Sequence, residues 1–143
     1  MNDRADKHDR VSRMVRLAAP AETVWAEIGG FGAIADWHPL IESCELTEIE
    51  GEPYRRLTLS DGGSVFERLV EAGPLRLSYE MVEGPLPATD YRAAFTCVPE
   101  PAGGCHVYWS AYFEPPDGQE HAADELVGKI FEIGLDALAD RYG

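Results

Sequence analysis

The sequence predicts an α+β fold in which a seven-stranded, curved antiparallel sheet wraps around one long carboxy-terminal helix, with two short helices after the first strand. Three observations lead there. An alternating segment near the start is followed, after a short helical stretch, by six runs of strand character set between turn signals such as "DGG", "GP" and "PEPAGG". From about His121 the apolar spacing changes to that of a helix and holds to Tyr142. No linker, repeat or low-complexity segment divides the 143 residues, a length that forms one domain.

Residues 1–10, "MNDRADKHDR", show no apolar periodicity and read as a mobile tail before a single domain over 11–143. In "VSRMVRL" the set Val11, Arg13, Val15 and Leu17 alternates with Ser12, Met14 and Arg16, which suits a strand. Pro20 then stands where a first helical residue belongs, Glu22 places a carboxylate in the first turn, and Val24, Trp25 and Ile28 supply an apolar face before Gly29 and Gly30 end it. Ala19, in the capping slot, has no side-chain oxygen, so roughly 1 kcal/mol of capping is missing. The next stretch, "FGAIADWHPLIESCEL" (31–46), is unusual for a connector because it carries Phe31, Trp37 and His38. These side chains either plug one end of a core or wall the mouth of a cavity.

The strand runs are "SCELTEIE", "YRRLTLS", "SVFERLVEA", "LRLSYEMVE", "DYRAAFTCV" and "CHVYWSAYFE". Tight turns between consecutive strands make an antiparallel meander. Alternation assigns the faces: Val107, Trp109, Ala111 and Phe113 point inward, as do Tyr91, Ala93, Phe95 and Cys97, and Leu75, Leu77, Tyr79 and Met81. Two tyrosines and a tryptophan on one concave face carry more hydrogen-bonding capacity than a plain core requires, and they fit either a core or a pocket. A three-residue loop Asp61-Gly62-Gly63 pairs Ser60 with Ser64 and Leu57 with Glu67; it turns Leu57, Leu59, Val65 and Leu69 inward together with Arg55 and Glu67. A two-residue loop pairs Leu57 with Phe66 and sends Glu67 outward. An inward Arg55 and Glu67 must be paired, hydrated or bound to a ligand. In the closing helix Ala123, Val127, Ile130, Phe131, Gly134, Leu135 and Leu138 form one stripe, and Gly128 and Gly134 within it each cost about 1 kcal/mol relative to alanine.

Composition narrows the partners. Twenty-six acidic residues against twelve lysines and arginines give a net charge of −14, which repels phosphate backbones and anionic lipid surfaces, so neither nucleic acid nor membrane insertion is expected. There is no secretory apolar stretch in the first ten residues, and cytoplasmic location is expected. Cys44, Cys97 and Cys105 have no CxxC spacing and read as reduced thiols. Asp36, His38, Glu42 and Cys44 lack a repeated ligand spacing, so no metal is expected, nor any cofactor. No phosphate loop, HExxH, GxSxG or serine-histidine-acid pattern is present. His38 as a general base and Glu67 as its partner or acid are the catalytic candidates.

The segments "PAETVWAEIGGFGAIADWHPLIESCEL", "RRLTLSDGGSVFERL", "YEMVEGPLPATDYRAAF", "VYWSAYFEP" and "GLDALADRY" together resemble the polyketide cyclase/dehydratase branch of the START-related SRPBCC superfamily, relatives of the birch-pollen allergen. The similarity runs from about Val11 to Tyr142. It implies a helix-grip fold with a cavity between sheet and closing helix that binds lipids, polyketides, hormones or other hydrophobic molecules, and in some members catalyses cyclisation or dehydration. Trp37, His38, Arg55, Glu67, Tyr91 and Trp109 fall in the shared motif stretches, and no catalytic set is common to all members. The expected ligand-binding residues are therefore Trp37, His38, Arg55, Leu57, Glu67, Leu69, Tyr79, Tyr91, Phe95, Trp109, Phe131 and Leu135, around a small hydrophobic molecule. The alternatives are a cyclase or dehydratase that moves protons with His38 or Glu67, and an adaptor that binds a partner through its acidic surface. A dry void of ~300 Å³ would cost about 7 kcal/mol, so such a cavity is expected to be smaller, wet or filled.

Overall fold

A computed structural model describes residues 9–86 and 88–143. Most of the expected tail, residues 1–8, lies outside the described residues. Arg10, at its end, is already held: its backbone N–H donates to Ala111 O at 2.8 Å, and its guanidinium pairs with Asp124 at 3.0 Å.

The elements run β1 (Val11–Leu17), α1 (Ala21–Ile28), α2 (Ile34–Trp37), β2 (Ile41–Ile49), β3 (Glu52–Leu59), β4 (Ser64–Gly73), β5 (Arg76–Glu83), β6 (Thr89–Pro99), β7 (Cys105–Glu114) and α3 (Glu120–Tyr142). The strands form one antiparallel sheet in the order β1-β7-β6-β5-β4-β3-β2. From β2 to β7 every strand pairs with its successor, while β1 crosses to the far edge beside β7. Irregularities in β2, β4 and β6 bend the strands, and a bent sheet can close around a helix where a flat one cannot.

Two expectations change in detail. The first helix begins at Ala21 with Pro20 as its cap, one residue later than the proline pattern suggests, and the cap has no side-chain hydrogen bond. The β3–β4 hairpin pairs Leu57 with Val65 and Thr58 with Ser64, instead of Leu57 with Glu67 and Ser60 with Ser64. Its three-residue loop is Ser60-Asp61-Gly62, because Gly62, at φ +93°, takes the left-handed position, and Asp61 Oδ1 accepts from Gly63 N–H at 2.8 Å. Moving the loop by one residue moves each partner by two. Side-chain faces repeat every two residues, so Arg55 and Glu67 still point inward, and they stand directly opposite each other.

The inward rows of β6 and β7 are buried as alternation predicts, and α3 covers them with Ala123, Val127, Phe131, Leu135 and Leu138. Aromatic rings fill one half of the interior. Trp37 stacks on Phe95 at 5.3 Å between centroids, Trp109 meets Phe95 edge-on at 5.2 Å, and Trp109 stacks on Phe131 at 4.4 Å. Such offset and edge contacts add to the large apolar area the rings bury. The other half, between α3 and strands β3 to β5, is hollow.

Candidate ligand cavity

The hollow measures about 330 Å³, and most of its wall is apolar. Leu57 and Leu59 of β3, Val65 and Glu67 of β4, Tyr79 of β5, Tyr91 of β6 and Trp109 of β7 form the sheet side. The helix side comes from Leu126, Ile130 and Phe131, and His38 closes the end nearest α2. Exposed residues of the β3–β4 turn and the β5–β6 loop, Ser60, Asp61 and Pro85, stand at its opening.

Glu67 is the wall-facing half of a buried ion pair with Arg55, which lies outside the lining. Arg55 Nε donates to Glu67 Oε1 at 2.8 Å, with Nη2 also 2.8 Å from that oxygen; Nη1 donates to Phe31 O at 2.8 Å, and the guanidinium carbon lies 4.5 Å from the ring centroid of Phe31 and 4.7 Å from that of Tyr79. Phe31 therefore caps a buried arginine, which accounts for one aromatic in the 31–46 connector. Burial pushes the Glu67 carboxyl above its ordinary range, and Arg55 opposes that shift. Protonating Glu67 would leave an uncompensated cation in the interior, so the pair persists as an ion pair at neutral pH. Trp109 Nε1 donates to Tyr79 Oη at 3.0 Å. Burial also raises the pKa of Tyr79 and Tyr91, keeping both phenols protonated.

His38 is fastened rather than free. Its Nε2–H donates to Ile130 O at 2.9 Å, and its Nδ1 accepts from Leu40 N–H at 3.2 Å, which fixes the neutral tautomer. Burial lowers its pKa, and the carbonyl of Ile130 only partly offsets that. Gly134 makes the approach possible: a β-carbon there would stand 2.6 Å from His38 Cδ2. With both nitrogens engaged, the imidazole has no open position from which to take a substrate proton.

Of the expected site residues, His38, Leu57, Glu67, Tyr79, Tyr91, Trp109 and Phe131 share the cavity wall. Trp37, Phe95 and Leu135 lie in the packed half, Leu69 is half-buried away from the wall, and Arg55 acts on the cavity through Glu67. Trp37 borders only a crevice of about 10 Å³, and its Nε1 has no hydrogen-bond partner among the described residues. Sequence reasoning missed Val65 as a wall residue, along with Leu126, Pro85 and Leu86. Leu126 was detectable, since it lies four residues before Ile130 on the same helical face. The two loop residues had no periodic signal.

No helix among the described residues is long and apolar enough to cross a membrane. No curated protein matches the chain. Residues 8–143 match the family model described as polyketide cyclase / dehydrase and lipid transport. Among solved structures, a protein from Thermobifida fusca is 35% identical with a TM-score of 0.82, the alignment covering 93% of this chain and 92% of that one. An uncharacterised protein from Bacillus thuringiensis is 30% identical with a TM-score of 0.85, covering 92% and 96%. A START superfamily protein from Mycobacterium smegmatis, 24% identical with a TM-score of 0.76 over 92% of this chain and 95% of its own, shares the fold. A seven-stranded bent sheet gripping a terminal helix, matched over nearly its whole length by that model, makes this chain a member of the polyketide cyclase / dehydrase and lipid transport family, with the START-like helix-grip fold.

Proposed function

We propose that the protein binds a small hydrophobic molecule in the cavity between its sheet and α3. The observation that carries this reading is the cavity of about 330 Å³ with its largely apolar wall, within the range of small-molecule sites. A dry void of that volume would cost about 8 kcal/mol by the same scaling, comparable to a domain's whole stability, so water or a ligand fills it. A ligand that displaces such water gains the apolar contacts of the wall. Native mass spectrometry of the gently purified protein is expected to show a copurifying small molecule, or titration with apolar compounds a saturable site. Consistent failure of both across chemically diverse apolar compounds rejects the reading.

A second reading, turnover of a cyclase or dehydratase type, has one specific observation in its favour. Glu67 faces the cavity as a buried carboxylate whose pKa burial raises, a group able to act as a general base on a bound molecule. His38, whose ring nitrogens are both bound, drops out of that reading. If a substrate is found, Glu67→Gln should lower kcat by about a hundredfold or more, and an unchanged rate in that variant ends the catalytic case.

A further inference from the structure

We infer that the cavity takes a compact apolar molecule with a hydrogen-bond-donor head, a hydroxyl or a protonated amine seated on Glu67, and turns carboxylates away. This rests on the ligand-binding reading above and specifies its chemistry. The basis is an uneven sharing of partners around the buried ion pair. Both contacts that Arg55 makes with the carboxylate, the Nε hydrogen bond and the Nη2 ion-pair approach, fall on Oε1 at 2.8 Å. Oε2 accepts nothing from any described residue, although Glu67 is only 6% exposed and forms part of the cavity wall. Arg55 is absent from that wall. Its Nη1 donates instead to Phe31 O, and the ring centroids of Phe31 and Tyr79 lie 4.5 and 4.7 Å from its guanidinium carbon.

The charge at the deep end of the cavity is therefore an acceptor in need of a donor. Among the described residues the wall holds no lysine or arginine, and its other charged member is Asp61 at the opening. Tyr91, a second phenol in the same wall, can complete a hydroxyl or amine from a second side. A donor head on Oε2 makes a charge-assisted bond in a water-poor site. A carboxylate head would sit against Glu67 with no cation facing it, and like charges removed from water repel strongly. The net charge of −14 acts in the same direction during approach. Volume limits the rest of the ligand: about 330 Å³ is near the low end of ligand sites, which suits one compact ring system rather than a two-chain lipid.

Four compounds on one scaffold test this: 1-methylnaphthalene, 1-naphthalenemethanol, 1-naphthylmethylamine and 1-naphthoic acid, titrated calorimetrically into the full-length protein at neutral pH after any copurifying molecule has been extracted. The alcohol and the amine are expected to bind about tenfold or more tighter than the hydrocarbon, and the acid about tenfold or more weaker. Because Glu67→Gln alone strands Arg55, the paired variant Arg55→Met/Glu67→Leu keeps an apolar, folded wall. In it the preference for alcohol and amine over hydrocarbon should vanish while the hydrocarbon still binds. Equal binding of all four, tightest binding of the acid, or an unchanged ranking in the paired variant overturns the head-group assignment and leaves the ligand-binding reading standing. Binding of none of the four overturns the head-group assignment on this scaffold, while the ligand-binding reading falls only if native mass spectrometry and the wider titration also fail.

Discussion

At residue 134 a β-carbon would stand 2.6 Å from His38 Cδ2 and 2.9 Å from Trp109 Cζ3, two side chains held in place by hydrogen bonds and stacking. At residue 128 the obstacle is Arg13 Nη2, 2.5 Å away, at the end of a half-exposed flexible chain. The two helical glycines therefore differ. Gly134→Ala should lower stability by about 1–3 kcal/mol, whereas Gly128→Ala should be neutral or stabilising by up to about 1 kcal/mol, both read from urea melts. His38 gives a pH signature. Its folded pKa lies below the ordinary 6.5, so the unfolded chain takes up a proton that the folded protein refuses, and the His38 contribution is complete above pH 6.5 and lost as the pH falls. Glu67 runs the other way: its folded pKa is raised above 4.5, so stability from that group falls as pH rises through the window above 4.5. Comparing urea midpoints at about pH 7.5 and 5.5, the wild type should lose more stability on acidification than His38→Gln, and equal losses would contradict the buried neutral imidazole. The burial of His38 beside aromatics was visible in "DWHPL", but its partner was not. That partner is a backbone carbonyl 92 residues away, and nothing in a side-chain pattern marks a carbonyl.

The β3–β4 hairpin shows the same boundary between what alternation encodes and what turns decide. Strand faces follow from a period of two, so the inward set Arg55, Leu57, Val65 and Glu67 was legible. Register depends on which of two adjacent glycines takes positive φ, and "DGG" contains both choices; the structure selects Gly62. The ion pair that the hairpin presents has an unequal response to substitution. Glu67→Leu alone should destabilise by about 3–5 kcal/mol, because Arg55 is left charged and buried, while adding Arg55→Met should restore most of that loss. A double-mutant cycle on thermal or urea melts reads this directly. Two equal and additive losses would show that the residues do not act as a pair.

Across the whole molecule, one half of the interior is stacked aromatic rings and the other is open, so fold and function draw on different residues. Trp37 and Phe95 support the solid half, which is why a segment that looked like a ligand wall in the sequence belongs partly to the core. The number and order of the strands and the closing helix were legible because each carries its own periodicity, while their ends moved: β5 begins at Arg76, after Leu75 at φ +61°, and β2 begins at Ile41. The division of the interior was not legible, since cavity and core are both lined by inward apolar residues. Filling the hollow should separate the two roles: Val65→Phe, placed in the wall, is expected to abolish apolar ligand binding while keeping the circular dichroism and melting of a folded protein. Unaltered affinity in that variant would put the binding site elsewhere. The strand order has a kinetic consequence. β1 lies at the opposite sheet edge from β2, with Val11 facing Ala111, so the first strand to leave the ribosome has no neighbour until nearly the last one is made. Its docking closes a loop of about a hundred residues, which places the locking of β1 late in folding and leaves the nascent β7 edge bare meanwhile, a stage at which chaperones are most needed.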